Sequence, residues 1–259
     1  MFKAVSIGVL LSSVVFLQGC SCDEGESVSE CVIDEDPSST AEVFYFNQIT
    51  DDGGSDEDEI TTELFAGTES DALVEERAYT TSGDVDGVDV DLDEPDEDDM
   101  ADVAFTVRRT EDSFEFISNE VAELEEGAEY TLVAMGDIDE TTSLRLAVLE
   151  REEQSTASDE VNVRFVHALS DLDASSLRLD VLDDGDELVE DLNYASESDH
   201  VALTPSADRI TVDLRNSDDD VIASPGCDVT TGRTYEAILT YVDFDGRNED
   251  DIRLFCHEI

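Results

Sequence analysis

A chain of 259 residues with 70 acidic and 13 basic side chains carries a formal net charge of −57. Such a surface repels polyanions, which excludes nucleic acid and anionic membrane surfaces as partners. Yet 40% of the residues are apolar, with 11 Phe and 6 Tyr, so a packed core is expected despite the charge. The acids are spread along the chain rather than gathered in one tail, and the only lysine is Lys3. This reads as halophilic solvation, because self-repulsion is relieved where the Debye length shrinks to about 3 Å at 1 M salt. A cation-buffering surface is the alternative.

The first segment in chain order is a leader. Lys3 supplies one positive charge, and Ile7 to Phe16 form an apolar run. That run is too short for a ~30 Å hydrocarbon core, so it reads as the apolar region of a signal peptide spanning residues 1–19. Its ending, Leu17-Gln18-Gly19-Cys20, resembles the lipobox of bacterial lipoproteins. The resemblance implies that Cys20 is lipidated with palmitate-type chains and becomes the new N-terminus. Multiple acyl chains then hold the protein stably at a membrane. Ser21 after that cysteine resembles outer-membrane sorting, which places the protein in the cell envelope, facing the periplasm or the exterior.

A short polar tether, 20–40, follows and contains Cys22 and Cys31. With Cys20 consumed, Cys22, Cys31, Cys227 and Cys256 remain, an even set suited to an oxidising compartment, with three possible connectivities. Closeness in sequence favours Cys22–Cys31 and Cys227–Cys256. A zinc site is weakly supported, since no C-x-x-C pair occurs.

The rest of the chain repeats itself. Ala41–Asp51 matches Val161–Asp171 in pattern, Val43 over Val163 and Tyr45 over Phe165. Glu126–Ala134 matches Thr231–Leu239. The offset falls from 120 to 105, so the first copy carries extra residues, expected in the acidic stretches 50–59 and 93–102. Alternation predicts strands at Val43–Ile49, Val88–Leu92, Val103–Val107, Phe114–Ile117, Tyr130–Met135 and Ser143–Leu149. The second copy offers Val161–Phe165, Leu177–Leu182, Glu187–Leu192, Ile210–Leu214, Tyr235–Phe244 and Asp251–Cys256, with turns at Asp184-Gly185 and Asp245-Gly246. Only 119–126 has helical character. The fold class expected is all-β: two tandem immunoglobulin-like antiparallel β-sandwich domains, at 41–150 and 160–259, joined by a linker at 151–159.

The segment Val163-Arg-Phe-Val-His-Ala-Leu-Ser-Asp-Leu-Asp-Ala174, with Leu177–Leu182 and Gly232-Arg-Thr-Tyr235, resembles the family called domain of unknown function 4397. That family is extracytoplasmic and often tandem, so the resemblance implies fold and location but no chemistry. The first copy resembles it more loosely, with Asn47 where the family has histidine.

For chemistry, His167 is the first candidate, with Asp171 and Asp173 just beyond it as possible binding partners. The competing reading makes His167 a structural strand-end residue, which suits Asn47 at the matching position. His200 and His257 have no spaced partner. No G-x-S-x-G, P-loop or G-x-G-x-x-G occurs. Asp84–Asp93 superficially resembles a calcium loop, but Gly87 falls at position 4 rather than 6, and Val88–Leu92 aligns better with the strand Leu177–Leu182. The reading is therefore a non-enzymatic, lipid-anchored envelope module without a cofactor. It has an unknown envelope protein or glycan as partner and loose binding of divalent cations at most. A calcium-dependent adhesin, or an enzyme hydrolysing substrates with acids and His167, are the alternatives.

Overall fold

The computed structural model describes residues 39–51, 60–68, 70–80, 85–92, 95, 99–139, 141–170, 178–183, 186–216, 218, 220–242 and 251–259. The leader, the tether with Cys20, Cys22 and Cys31, and the turns at Asp184-Gly185 and Asp245-Gly246 lie outside these residues. All regular elements described are β-strands, and Ser38–Ile259 pack as one compact unit.

The first copy runs β1 (Thr40–Thr50), β2 (Thr62–Ala66), β3 (Val74–Arg77), β4 (Gly87–Asp91), β5 (Met100–Arg109), β6 (Glu115–Glu125), β7 (Glu129–Asp137) and β8 (Arg145–Glu150). Its sheets are β4-β1-β7-β8 and β3-β2-β5-β6. The second copy runs β9 (Val161–His167), β10 (Arg178–Asp183), β11 (Asp186–Leu192), β12 (Val201–Leu203), β13 (Arg209–Thr211), β14 (Asp213–Arg215), β15 (Val221–Ala223), β16 (Gly226–Asp228), β17 (Thr234–Tyr241) and β18 (Ile252–Glu258). Its sheets are β12-β9-β17-β18 and β11-β10-β14-β15, with β13-β16 as a separate ribbon. Inward-facing Val43, Tyr45 and Leu132 meet Leu64, Phe105 and Val107 in one core. Val163, Phe165 and Leu239 meet Ile210 and Leu214 in another. The chain is thus all-β with sandwich packing.

Several expectations change in detail. One sheet of each copy is mixed rather than purely antiparallel, because β1 pairs parallel with β7 and β9 with β17. The first and penultimate strands of each copy lie side by side at a sheet centre, and the chain between them supplies the long crossover that parallel pairing demands. Residues 119–125 are strand and 126 opens the turn to β7: β6 pairs with β5, Ala122 opposite Val103 and Leu124 opposite Ala101. Pairing and burial override local propensity there. Val88–Leu92 does not correspond to Leu177–Leu182. β4 pairs with β1, Val88 opposite Val43, just as β12 pairs with β9, Val201 opposite Val163. The counterpart of β10 is β2, each lying in the other sheet of its copy. β4 presents an acidic outer face, with Asp89 and Asp91 exposed and Val90 buried. Ile210–Leu214 is interrupted at Val212, whose N–H donates to the Pro225 carbonyl. Pro225 has no N–H with which to continue the ladder.

The two matched motifs have a physical basis. Gly127 and Gly232 adopt φ +77° and +78°, a left-handed turn that favours glycine. Three residues on, the Tyr130 and Tyr235 hydroxyls each accept the N–H five residues upstream, from Glu125 and Thr230, both at 2.8 Å. Such a tyrosine corner is a known sandwich device. Between these motifs Val88 matches Val201, an offset of 113, so part of the first copy's excess falls on each side of β4. Of the stretches expected to carry the insertions, 52–59, 93–94 and 96–98 lie outside the described residues, and 100–102 belong to β5.

At the centres of the β1 and β9 sheets the alternate faces do not meet solvent either. β7 and β17 are buried almost continuously along both faces, the pattern of strands covered on two sides. Phe46, Val133, Met135 and Leu149 of the first copy form a third core with Val166, Ala168, Ile238 and Phe255 of the second. The two copies are therefore fused sheet to sheet. Thr50 and Ser170, 120 positions apart, hydrogen-bond to each other at 3.1 Å, as residues on a pseudo-two-fold axis would.

Two tyrosines that the sequence reading passed over clasp this seam. The Thr80 N–H donates to the Asn47 carbonyl, and the Ala195 N–H donates to the His167 carbonyl, so Tyr79 and Tyr194 are counterparts. Tyr79 crosses to the second copy, its hydroxyl 2.7 Å from Thr240 Oγ1. Tyr194 crosses the other way and donates to the Ser143 carbonyl at 2.7 Å.

Candidate functional site

His167 follows the parity of Val163 and Phe165 and is fully buried. Its backbone is bonded to Ala195 and Ser196, its ring lies edge-on to Tyr194 at 6.4 Å, and neither ring nitrogen has a hydrogen-bond partner among the described residues. Burial lowers its pKa from 6.5 to about 4, so the ring is neutral and sealed from solvent. The matching Asn47 is fully engaged: its amide donates to the Ile60 and Arg77 carbonyls and its oxygen accepts from the Ile49 N–H. Asp171 and Asp173 lie outside the described residues. The cleft that a hydrolase would need around His167 is not formed by its described neighbours, which enclose the ring instead.

The lowered pKa has a measurable consequence. Above pH 6.5 the His167 ring is neutral in both folded and unfolded chains. Between pH 6.5 and about 4 only the unfolded chain takes up the proton, so stability falls as pH falls. The loss is about 1.4 kcal/mol per pH unit and levels off near ~3 kcal/mol. His200, whose pKa burial also lowers, adds in the same direction. His167→Asn, which places the first copy's residue here, is expected to flatten the fall in thermal midpoint between pH 7.5 and 5.0. Equal falls in the variant and the parent would contradict the assignment.

The seam between the copies holds the buried charges. His200, Arg164, Glu236 and His257 lie in a row across β9, β17, β18 and the approach to β12. Glu236 is completely buried and paired with Arg164, which also donates to the Glu150 carbonyl of the first copy. Arg151 stacks 3.8 Å from the Phe44 ring centre and donates to the Glu258 carbonyl. The first copy has Phe44, Thr131 and Leu149 at the places of Arg164, Glu236 and His257. These charges join the copies; Glu236 is closed to solvent, whereas His257 lines a surface cleft with Asp228, Tyr235 and Glu258.

Two surface features of the first copy lie away from the seam. One end of the first sandwich has a cleft of about 260 Å³, floored by Ala66, Leu73, Val90 and Val103 and rimmed by Asp71, Asp89, Asp91 and Asp102. Among the described residues no group of three or more His, Cys, Asp or Glu could hold a metal ion. At the other end of β5, the β5–β6 turn carries Phe114, 49% exposed, the only aromatic among the large apolar residues exposed in the described chain. Phe114 meets Phe116 edge to face at 5.8 Å, and the Arg109 guanidinium lies 5.9 Å from both rings.

This turn is held firmly. Arg109 donates twice to Asp112, at 2.8 and 2.6 Å, and Asp112 accepts the Phe114 N–H at 3.1 Å. The guanidinium holds the Asp112 carboxyl below the usual carboxylate range. Ser113 takes a φ of +58° to close the turn. Beside it Arg108 pairs with Glu115 at 3.0 Å and lies 4.3 Å from the centre of the Phe65 ring. The sequence held a signal for this group: Arg108-Arg109 is the chain's only pair of adjacent basic residues, and Phe114 and Phe116 follow within seven positions.

No family model and no curated protein matches the chain. Among solved structures it aligns with one described as "Alpha-glucan binding by a streptococcal virulence factor", at 12% identity over 85% of this chain and 97% of that one. The TM-score is 0.26, and at that value the alignment carries no argument about function.

The second half of the disulfide expectation is met. Cys227 on β16 is bonded to Cys256 on β18, tying the ribbon of the second sandwich to its seam-facing sheet.

Proposed function

We propose that the chain is a non-enzymatic binding module of a halophile's cell envelope, anchored by lipid on Cys20. The observation that carries the reading is the contrast between interior and surface. His167, the histidine best placed for chemistry, is sealed beneath side chains, while a rigid turn keeps an aromatic ring in water. The Cys227–Cys256 bond suits an oxidising compartment outside the cytoplasm. The lipobox-like Leu17–Cys20 and the resemblance to domain of unknown function 4397 support the same location. Fusion of the copies through the seam gives a stiff block that presents its turns at fixed positions relative to one another.

Metabolic labelling with a palmitate analogue tests the anchor. The parent is expected to be labelled and to sediment with envelopes, whereas Cys20→Ala is unlabelled and released. Saturable binding of the released protein to isolated envelope fragments in concentrated salt is the second expected result. Equal labelling of both proteins, or binding that never saturates, would defeat the proposal.

A further inference from the structure

The cleft at the end of the first sandwich lies between its two sheets, with β4 on one side and β2 and β5 on the other. Its floor, Val90, Val103 and the half-buried Leu73, belongs to the core of that copy. Asp71, Asp89, Asp91 and Asp102 stand exposed around it, and no basic side chain lines it among the described residues.

Strand pairing identifies the residues that take these places in the second copy. β4 lies on β1 as β12 lies on β9, so Asp89, Val90 and Asp91 correspond to Ala202, Leu203 and Thr204. Counted back from the two tyrosine corners, Val103 opposite Ala122 corresponds to Ile210 opposite Cys227. Asp102 opposite Glu123 then corresponds to Arg209 opposite Asp228. The second copy thus has larger apolar residues at the floor positions, and it carries its own cation where the first has Asp102. Arg209 is ion-paired there with Asp228 and also donates to the Gly226 carbonyl. The first copy keeps four carboxylates around an apolar floor and supplies no cation to them.

The cleft's chemistry narrows what would fill that role. Its acids surround the floor rather than converging on a point, and no metal-binding group forms among the described residues. The occupant is therefore a cation with an apolar body. No aromatic ring lines the cleft to cage a quaternary ammonium, whereas a primary ammonium brings three N–H donors for carboxylates. A volume of about 260 Å³ suits a small molecule.

We infer that this cleft binds a small primary alkylammonium ion, its charge held by the aspartates and its chain laid on Val90, Leu73 and Val103. This inference deepens the binding-module reading and rests on it. The test is calorimetric titration of the full folded chain carrying Cys20→Ala, in concentrated salt, with n-pentylammonium. Its uncharged counterpart 1-pentanol and the chainless ammonium ion are titrated beside it.

One saturable site for n-pentylammonium is expected, at least tenfold tighter than for either comparison probe. Asp89→Ala/Asp102→Arg, which installs the second copy's residues, should weaken it at least tenfold. Asp218→Asn, which removes an exposed acid of the second copy, should leave it unchanged. Circular dichroism establishes that each variant is folded, and Asp71→Asn/Asp91→Asn, confined to the exposed rim, gives the same readout should the first variant unfold. Absence of a saturable site overturns the inference, as does equal affinity for 1-pentanol or ammonium. Equal binding by the parent and the folded rim variants, or equal loss in Asp218→Asn, overturns it too. Palmitate labelling and envelope binding are read separately, so an anchored protein that ignores n-pentylammonium would lose this inference and keep the binding-module reading.

Discussion

Arg164→Leu is expected to destabilise the protein by about 4 kcal/mol, since it strands a completely buried carboxylate at the seam. Glu236 sits in the seam with Arg164 as its ion-pair partner, and its other oxygen, Oε2, already lacks a hydrogen bond. Adding Glu236→Thr should restore most of the loss. Thr131 occupies that place in the first copy, and Phe44 stands there where the second copy has Arg164, so the seam already tolerates an uncharged pair. Removing both ions together avoids the desolvation that makes a lone buried charge so costly. Urea midpoints at fixed high salt measure the cycle. A double variant as unstable as Arg164→Leu alone would show that the two charges do not depend on each other.

Breaking the Cys227–Cys256 bond should cost ~3–4 kcal/mol on chain-entropy grounds, for a sequence separation of 29. The sharper expectation concerns how that loss is distributed. The bond lies wholly in the second sandwich, but the shared core of Phe46, Val133, Ile238 and Phe255 couples the copies. Tyr79 and Tyr194, each reaching across the seam, add to that coupling. An isolated copy would expose this apolar face to water, so one copy should not melt while the other stays intact. Calorimetry of Cys227→Ala/Cys256→Ala is therefore expected to show a single transition, shifted downward as a whole. Two resolved peaks, with the upper one unmoved, would show that the copies are independent.

That coupling marks where sequence reading reaches its limit. Two-residue alternation exposes Val161, Val163 and Phe165 as one strand face, because each side chain's orientation is set by its own backbone. The glycine-tyrosine corners are legible for the same reason: a left-handed Gly and a hydroxyl five residues from its donor are local facts. The short strands β2, β3, β12, β15 and β16 give too few residues for any period to emerge. The short stretch 119–126 has some helical character in its own spacing, because the influence of its partner β5, a turn away, is invisible there.

The Phe114 turn is half legible in the sequence, as an arginine followed by two phenylalanines. Its exposure is not, because exposure depends on which strands cover a residue. His167 could be placed on the inward face from parity. Whether that face was a cleft or a closed wall depended on Tyr194 and Ala195, some thirty residues on.

All-β character, repetition, the acidic exterior and the lipobox-like leader follow from residues that act alone or beside near neighbours. The sheet-to-sheet fusion, the buried Arg164–Glu236 pair, the parallel strand pairing and the sealing of His167 arise only when distant segments meet. Each reflects burial and desolvation, and these belong to an environment that no short stretch of chain creates without its partners.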